Sequence, residues 1–376
     1  MMKHLHIISF DIPYPANYGG AIDVFFRIKA LHKNGIKIIL HCWHKEDRYP
    51  QQELEILCEK VYYYKRNEKF TNQLKTTPYA VLSRKSNDLI QNLLKDDYPI
   101  LFEGLVSCYY LTDKRLNKRI KLFRECNVEH EYYRELAKAT TKIKDKIYFY
   151  FESIKLKYYE KILHQVDYIL ALSHNDEKHF IAQYPDTKII YLPCAHTNEI
   201  VSTLEGAGNY ILYHGNLAVA ENEKAALYLC DNVFSKLNDI KCIIAGRNPQ
   251  KNLQNKITQF KNITLIANPN EDEMSNLIQN AHIHLLITFQ NTGLKLKLLN
   301  TLFCGRHIIA NDAMINGSGA ENLCHVANSS QQQISLCHKL MNTTFNKPEI
   351  EKRKLALNSI FSNQHQAEII TELIQH

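Results

Sequence analysis

One pattern in this chain narrows its fold more than any other. HLHIISF, a short apolar run, breaks into DIPYPANYGG, a loop dense in Pro, Asn and Gly. AIDVFFRIKALHKNG then follows, before a second apolar run, IKIILHCW. The outer runs have strand length. The middle segment places Ile22, Phe25, Phe26 and Ile28 as a helix would and stops at Gly35. Strand–loop–helix–strand is the opening of a doubly wound parallel sheet, and PILFEGL, IKLFRECNV and DYILALS continue it. After Tyr191-Leu192-Pro193 the polar stretch HTNEIVSTLEGAGN reads as a linker, and the pattern starts again. YILYHGN, IKCIIAGRNP, ITLIANP, AHIHLLITF and RHIIAND alternate with helical segments. The expectation is two Rossmann-like doubly wound α/β domains facing across a cleft, 1–195 and 205–359. A C-terminal helix in 360–376 returns to complete the first. In such sheets ligands sit outside the carboxyl ends of the strands, so function belongs in the loops that follow them.

The length of 376 residues suits two domains. Hydrophobic content of 45% and charged content of 23% exclude disorder. MMKHLHIISFD lacks the small-residue cleavage site of a signal peptide, and no apolar run reaches bilayer length. Ten cysteines without a C-x-x-C pair suit reduced, buried thiols, so a cytoplasmic protein is expected. A formal charge of +7 fits an anionic partner. No basic arm or helix-turn-helix spacing points to nucleic acid.

Several loops after strands have chemistry to offer. Gly19-Gly20, Gly215-Asn216 and Gly246-Arg247 each follow a strand, where glycine lets a backbone turn or approach a ligand. The first is not a G-x-G-x-x-G fingerprint, so no nicotinamide cofactor is expected. NTGLKLKLLNTLFCG predicts a helix that opens at Thr292-Gly293-Leu294 with Lys295 and Lys297 in its first turns. A helix start already favours anions, and two lysines there suit a diphosphate. Ordinary solvated lysines are the bland alternative. Glu103 ends one strand (ILFEG) and Glu129-His130 ends another (CNVEH); each can orient or deprotonate a hydroxyl or simply be a satisfied polar group. His282 and His284 lack a third ligand and read as structural. Glu271-Asp272-Glu273 complements a helix dipole, and with no D-x-D element no essential metal is expected.

In Lys142–Leu163, Ile143, Ile147, Phe151, Ile154, Tyr158 and Ile162 form one apolar stripe of a helix. Two readings stay open: a helix lying on an anionic membrane, or a core-packed helix with snorkelling lysines. Asp145, Glu152 and Glu160 favour the second.

PYPANYGGAIDV, NVEHEYY, YYEKILHQVDYILALS, HGNL, IIAGRNP and above all GLKLKLLNTLFCGRHIIAN resemble GT-B glycosyltransferases of family 4, over nearly the whole chain. The resemblance implies that the second domain binds a nucleotide diphosphate sugar and the first an acceptor. It also implies transfer with retained configuration and no enzyme nucleophile; no cofactor is expected. The family signature has two glutamates eight positions apart; registering Phe303-Cys304-Gly305 on its end puts Thr292 and Asn300 there instead. Asn300 would meet the ribose as a neutral acceptor. Lys295 tops the Leu299 and Leu302 stripe, whereas Lys297 matches a basic residue of some family members. Two residues apart they do not share a helix face, so both are carried, Lys295 ahead. Glu321 takes the place of an acidic residue that reaches the sugar in related enzymes.

The expected activity is transfer of a sugar to a hydroxyl of a glycan or lipid-linked glycan, in cell-surface polysaccharide synthesis such as lipopolysaccharide or capsule. Peripheral contact with the inner membrane face accompanies it. Two alternatives remain. One is a sugar-nucleotide epimerase or hydrolase using Glu103 and His130; the other is a non-catalytic nucleotide-sugar-binding subunit, suggested by Thr292 and Asn300.

Overall fold

The structure is a computed structural model that describes residues 3–44, 48–140, 142–289 and 295–375. The chain divides into two units. The first comprises Met1–Thr197 with Phe361–His376, and the second Asn198–Asn291 with Lys295–Ile360.

The first unit is built on a parallel sheet. Its strands are β1 (Lys3–Ile8), β2 (Ile36–His44), β3 (Lys60–Lys65), β4 (Ile100–Glu103), β5 (Lys121–Arg124), β6 (Tyr168–Ala171) and β7 (Lys188–Tyr191). They stand in the order β3-β2-β1-β4-β5-β6-β7. The chain works outward from β1 to β3 and then restarts on the other side at β4. That reversal makes the ends of β1 and β4 the switch point where a ligand is expected. Central strands such as β1 (Leu5, Ile7, Ile8) are buried on both faces, as parallel strands covered by helices must be.

Helix Gly19–Lys33 buries Val24, Ile28 and Leu31 against one face. The C-terminal helix Asn363–Leu373 adds Ala367, Ile370 and Leu373 to the same core. Asn34 Nδ2 donates to Thr371 Oγ1 at 2.9 Å, and the backbone N–H of His196 to Asn363 Oδ1 at 3.1 Å. The last helix is therefore a structural part of the first unit.

Under this sheet lies a group of buried charges. Arg27 Nε donates to Glu103 Oε1 at 2.9 Å, and its Nη2 pairs with Asp23 one helical turn earlier. Arg124, at the end of β5, also reaches Asp23, at 3.2 Å. It donates as well to the carbonyls of Leu170, Leu192 and Pro193. Burial raises the Asp23 carboxyl, but Arg124 and Arg27 outweigh it and hold the group below its ordinary range. Burial holds Glu103 above its ordinary range despite Arg27. One expectation is corrected here. Glu103 is 0% exposed and committed to Arg27, so it is not placed to touch an acceptor.

The second unit repeats the plan with β8 (Tyr210–Asn216), β9 (Lys241–Arg247), β10 (Ile263–Ala267), β11 (Ile283–Leu286), β12 (His307–Ala310) and β13 (His325–Val326). All are parallel, in the order β10-β9-β8-β11-β12-β13. The switch point falls between β8 and β11. His282 accepts from the Gly208 backbone N–H through Nδ1 and donates to the Leu340 carbonyl through Nε2, a structural histidine. His284 is fully buried.

A second correction concerns helix Ile143–Tyr159. The side it buries is Glu152, Ser153 and Leu156, with Glu152 accepting from the backbone N–H of Tyr79 at 2.7 Å. The apolar stripe faces outward: Ile143 is 74% exposed, Phe151 57% and Tyr158 68%. The core-packed reading fails because periodicity marks a face without saying what covers it.

Removing one partner of a buried ion pair strands the other. Arg27→Met, which deletes the charge shared by Asp23 and Glu103, is expected to lower unfolding free energy by about 3–5 kcal/mol. Urea denaturation of the variant against the parent measures it.

Candidate functional site

The first unit contains a cavity of about 870 Å³ at the carboxyl ends of its strands. Phe10 to Gly20 reach it after β1, Val106 after β4, Cys126, Asn127 and Glu129 after β5, and Leu172 after β6. It lies where the switch point predicts a ligand. Gly19 and Gly20, expected at a ligand loop, line it as the first residues of their helix. That helix has no acidic residue in its first turn and no side-chain cap. A Cβ on Gly20 would stand 2.6 Å from the Phe10 ring, so glycine there also serves the packing of the loop.

Glu129 and His130 do not end a strand. β5 stops at Arg124, and both residues open helix Glu129–Ala139. They part company from there. Glu129 lines the cavity, and its carboxyl finds no hydrogen-bond partner among the described residues. Burial pushes it up to about 7, with Arg84 opposing and Glu160 assisting. His130 Nδ1 lies 3.1 Å from Glu160 Oε2, which also lies 3.4 Å, through Oε1, from His179. His130 is not among the residues that line the cavity, so its expected direct role is corrected to a bond that steadies the helix. Glu103 is buried as well, so neither Glu103 nor His130 lines the cavity.

In the second unit, helix Leu296–Cys304 begins one residue after Lys295, which sits at the N-cap with φ −101° and ψ 54°. Lys295 is thus outside the regular helix. That removes the geometric objection to both lysines serving one ligand, because the two-residue spacing rule applies only inside the helix. Lys297 Nζ donates to Asn222 Oδ1 at 2.6 Å and to Tyr213 Oη at 3.4 Å, over the Tyr213 ring at 5.1 Å. Burial lowers its ammonium to about 8, with Glu221 opposing and Lys295 adding repulsion. Burial lowers Lys295 too, again against Glu221. Glu221 accepts a hydrogen bond from Thr288 Oγ1 after β11. The two lysines, Glu221 and Asn222 therefore gather at the β8/β11 switch point, among side chains and not turned away into solvent.

Thr292, Gly293 and Leu294 lie outside the described residues. Asn300 Oδ1 accepts from Asn198 Nδ2 at 2.9 Å, so the oxygen assigned to a ribose is engaged within the protein. Gly215 and Gly246 are register partners on β8 and β9, and a Cβ on Gly246 would stand 1.8 Å from the Gly215 carbonyl oxygen. Strand contact alone therefore accounts for Gly246. Asn216 and Arg247 are exposed at the strand ends. Asn216 holds its own loop, accepting from the backbone N–H of Ala218 and, through its carbonyl, from Asn222. Glu321 accepts from the Gly317 backbone N–H at 2.9 Å and closes the 317–321 loop on itself.

The residues that sequence reading passed over are Glu221, Asn222, Tyr213 and Thr288 here, and Arg66, Arg84 and four tyrosines around the first cavity. Glu221 and Asn222 could have been found from AENE following HGNL. Arg66 and Arg84 sit in segments without periodicity.

Residues 208–340 match the family model described as glycosyl transferases group 1. The whole chain superimposes on S. aureus TarM, a mutant solved with Fondaparinux, alpha-GlcNAc-glycerol and UDP. The TM-score is 0.67 at 10% identity, covering 100% of both chains. On sucrose-phosphate synthase from Thermosynechococcus elongatus the TM-score is 0.68 at 12% identity, covering 99% and 98%. Residues 208–340 are thus similar to a group 1 glycosyltransferase domain, and the chain as a whole has the GT-B fold of these solved structures. This GT-B chain is also 27% identical over 342 residues to an uncharacterized 44.6 kDa protein in the cps region of Klebsiella pneumoniae, covering 85% of this chain and 86% of that one.

The Glu129 carboxyl should titrate near 7 instead of in the ordinary carboxylate range. Carbon-13 NMR of glutamate-labelled protein, with Glu129→Gln identifying the resonance, measures it; a midpoint near 4.5 would contradict the burial described.

Proposed function

We propose that this protein transfers a sugar from a nucleotide diphosphate sugar to a hydroxyl of a glycan or lipid-linked glycan, in surface polysaccharide synthesis. The observation that carries the reading is Lys297. Its half-buried ammonium is held against Tyr213 and Asn222 at the switch point of the second unit, with Lys295 at the adjoining helix start. A cation held below its ordinary pKa by burial is stabilised by an incoming anion. A diphosphate there would receive both ammonium groups and the helix start, so charge developing on the leaving group meets preorganised positive charge. The cps region of the Klebsiella relative and the UDP in TarM, both attributes of other proteins, support the choice of pathway and donor.

On this reading the first unit holds the acceptor, with Glu129 orienting the attacking hydroxyl. Resemblance to family 4 supports retention, with the departing diphosphate taking the proton on the face where the acceptor attacks and no enzyme nucleophile. No metal is invoked.

Lys295→Ala combined with Lys297→Ala is expected to abolish transfer and weaken UDP binding about a hundredfold or more, with an unchanged melting temperature. The sign of the pH dependence follows from Lys297. Free, it loses its proton near 8; with a diphosphate bound it keeps the proton to higher pH. Binding therefore takes up protons above that point, and affinity falls from pH 8 upward while staying level below it. Calorimetry with UDP between pH 6.5 and 9.5 reads this, and an upward trend would sink the assignment.

The outward stripe of helix Ile143–Tyr159 suits the surface of an anionic membrane. Ile143, Ile147, Phe151 and Tyr158 are exposed beside exposed Lys142, Lys144, Lys146, Lys157 and Lys161, with Asp145 the acidic exception. Apolar side chains that enter the headgroup region and lysines around them are the pattern of an interfacial helix. No described helix is long and apolar enough to cross a membrane. Sedimentation with phosphatidylglycerol vesicles should carry the protein down at low salt, less so at 0.5 M salt, and about tenfold less for Ile147→Asp with Phe151→Asp. Equal sedimentation with phosphatidylcholine, or none at low salt, would reject the membrane reading.

A further inference from the structure

The cavity of the first unit holds more positive charge than its own carboxylates answer. Of its three arginines, Arg48 is occupied by the loop it supports. It donates to the Ile12 and Pro15 carbonyls and to Asn17 Oδ1, and stacks on Tyr18 at 4.7 Å. Arg66 and Arg84 are different. Both donate to one acceptor, the Phe10 carbonyl oxygen, from 3.1 Å through Arg66 Nη2 and from 2.7 Å through Arg84 Nε. Two guanidinium groups are thereby held side by side at the cavity wall. Arg66 Nε is buried with no hydrogen-bond partner among the described residues.

Arg84 adds the Ala80 carbonyl at 2.7 Å and has no carboxylate within 4 Å among the described residues. Burial, then the neighbouring Arg66, lower it to about 9. The carboxylates that line the same space do not supply the missing charge. Asp11 stands 3.8 Å from Arg66 and 4.0 Å from Arg48, so one acid faces two arginines. Asp23 is committed to Arg27 and Arg124. Glu129, with a pKa of about 7, is only part-ionised at neutral pH.

A guanidinium that is buried without an ion pair is costly, and an anionic ligand offsets that cost. The other walls say what kind of molecule bears the anion. Tyr79, Tyr132, Tyr133 and Tyr148 line the space, each with an apolar face and a polar tip that suit a sugar ring and its hydroxyls. The volume of about 870 Å³ lies within the range of small-molecule sites. We infer that this cavity binds a sugar bearing a phosphate or carboxylate group, with Arg66 and Arg84 clamping the anion and the tyrosines against the ring. The inference rests on the reading of the first unit as the acceptor side, and it makes that acceptor acidic.

Calorimetry on the full chain without nucleotide tests it, using glucose 6-phosphate, glucuronate and glucose as probes. At least one anionic probe should bind about tenfold more tightly than glucose, with the difference shrinking as salt rises. Preference for glucose 6-phosphate assigns phosphate, and preference for glucuronate assigns carboxylate. Arg66→Gln and Arg84→Lys should each remove most of that preference and leave UDP affinity unchanged. UDP affinity also reports that the variants remain folded. Should Arg84→Lys lose UDP binding, Arg66→Gln alone decides. No preference for either anion over glucose, including no binding by any probe, overturns the inference, as does a preference that survives Arg66→Gln. Because no donor and no turnover are involved, failure here leaves the Lys295/Lys297 reading standing, and failure of that reading leaves this result intact.

Discussion

Asp23 is the point on which the first unit turns. It sits one turn into the helix that begins at Gly19 and accepts from three directions: Arg27 on its own helix, Arg124 at the end of β5, and the Ala195 backbone N–H at 2.6 Å. Through Arg124 the same group gathers the carbonyls of Leu170, Leu192 and Pro193. An ionised carboxylate in a dry interior is tolerated only when such partners surround it. Here they also fix where the helix begins. The Gly19-Gly20 edge of the cavity and the ends of β4, β5 and β6 are thus held to one another by a single charge cluster. Specific geometry at the rim follows from burial beneath it.

The second unit solves a related problem differently. Lys297 is not matched by a close carboxylate; a neutral amide, a phenol and a ring receive it, with Glu221 further off. A full ion pair would leave little reason for an anion to enter. Partial compensation keeps the ammonium in place while leaving positive potential for a ligand. Arg27 is paired with two carboxylates, Asp23 and Glu103, whereas Lys297 has none close by; on the proposed reading that contrast separates a structural charge from a binding one.

Much of the fold could be read from the chain because its signals are local. Apolar runs of strand length ending in glycine or polar loops located β1, β2, β4, β5 and β6 and most of the second sheet. β3 escaped because KVYYYK offers tyrosines at an edge in place of an aliphatic run. β7 escaped because TKIIYLP merges with the linker after it. The site was legible in part, for a physical reason. Glu103 and Glu129 look alike in sequence, each near a strand end. Their fates are decided by Arg27, 76 residues away from Glu103, and by the turn that moves Glu129 onto a helix. Lys297 could be singled out from its helix, but its partner Asn222 lies 75 residues earlier. The stripe on helix Ile143–Tyr159 was visible, whereas its outward direction depends on Glu152 being drawn inward by the Tyr79 backbone.

The return of Asn363–Leu373 to the first unit has a consequence for how the protein is made. A ribosome threads out the whole second domain before Ala367, Ile370 and Leu373 can meet Val24, Ile28 and Leu31. The half translated first is therefore the half that finishes last. Until then Val24, Ile28 and Leu31 lack the side chains that cover them in the finished fold. Premature termination anywhere past residue 360 would strike the N-terminal domain hardest, although every one of its earlier residues had been made.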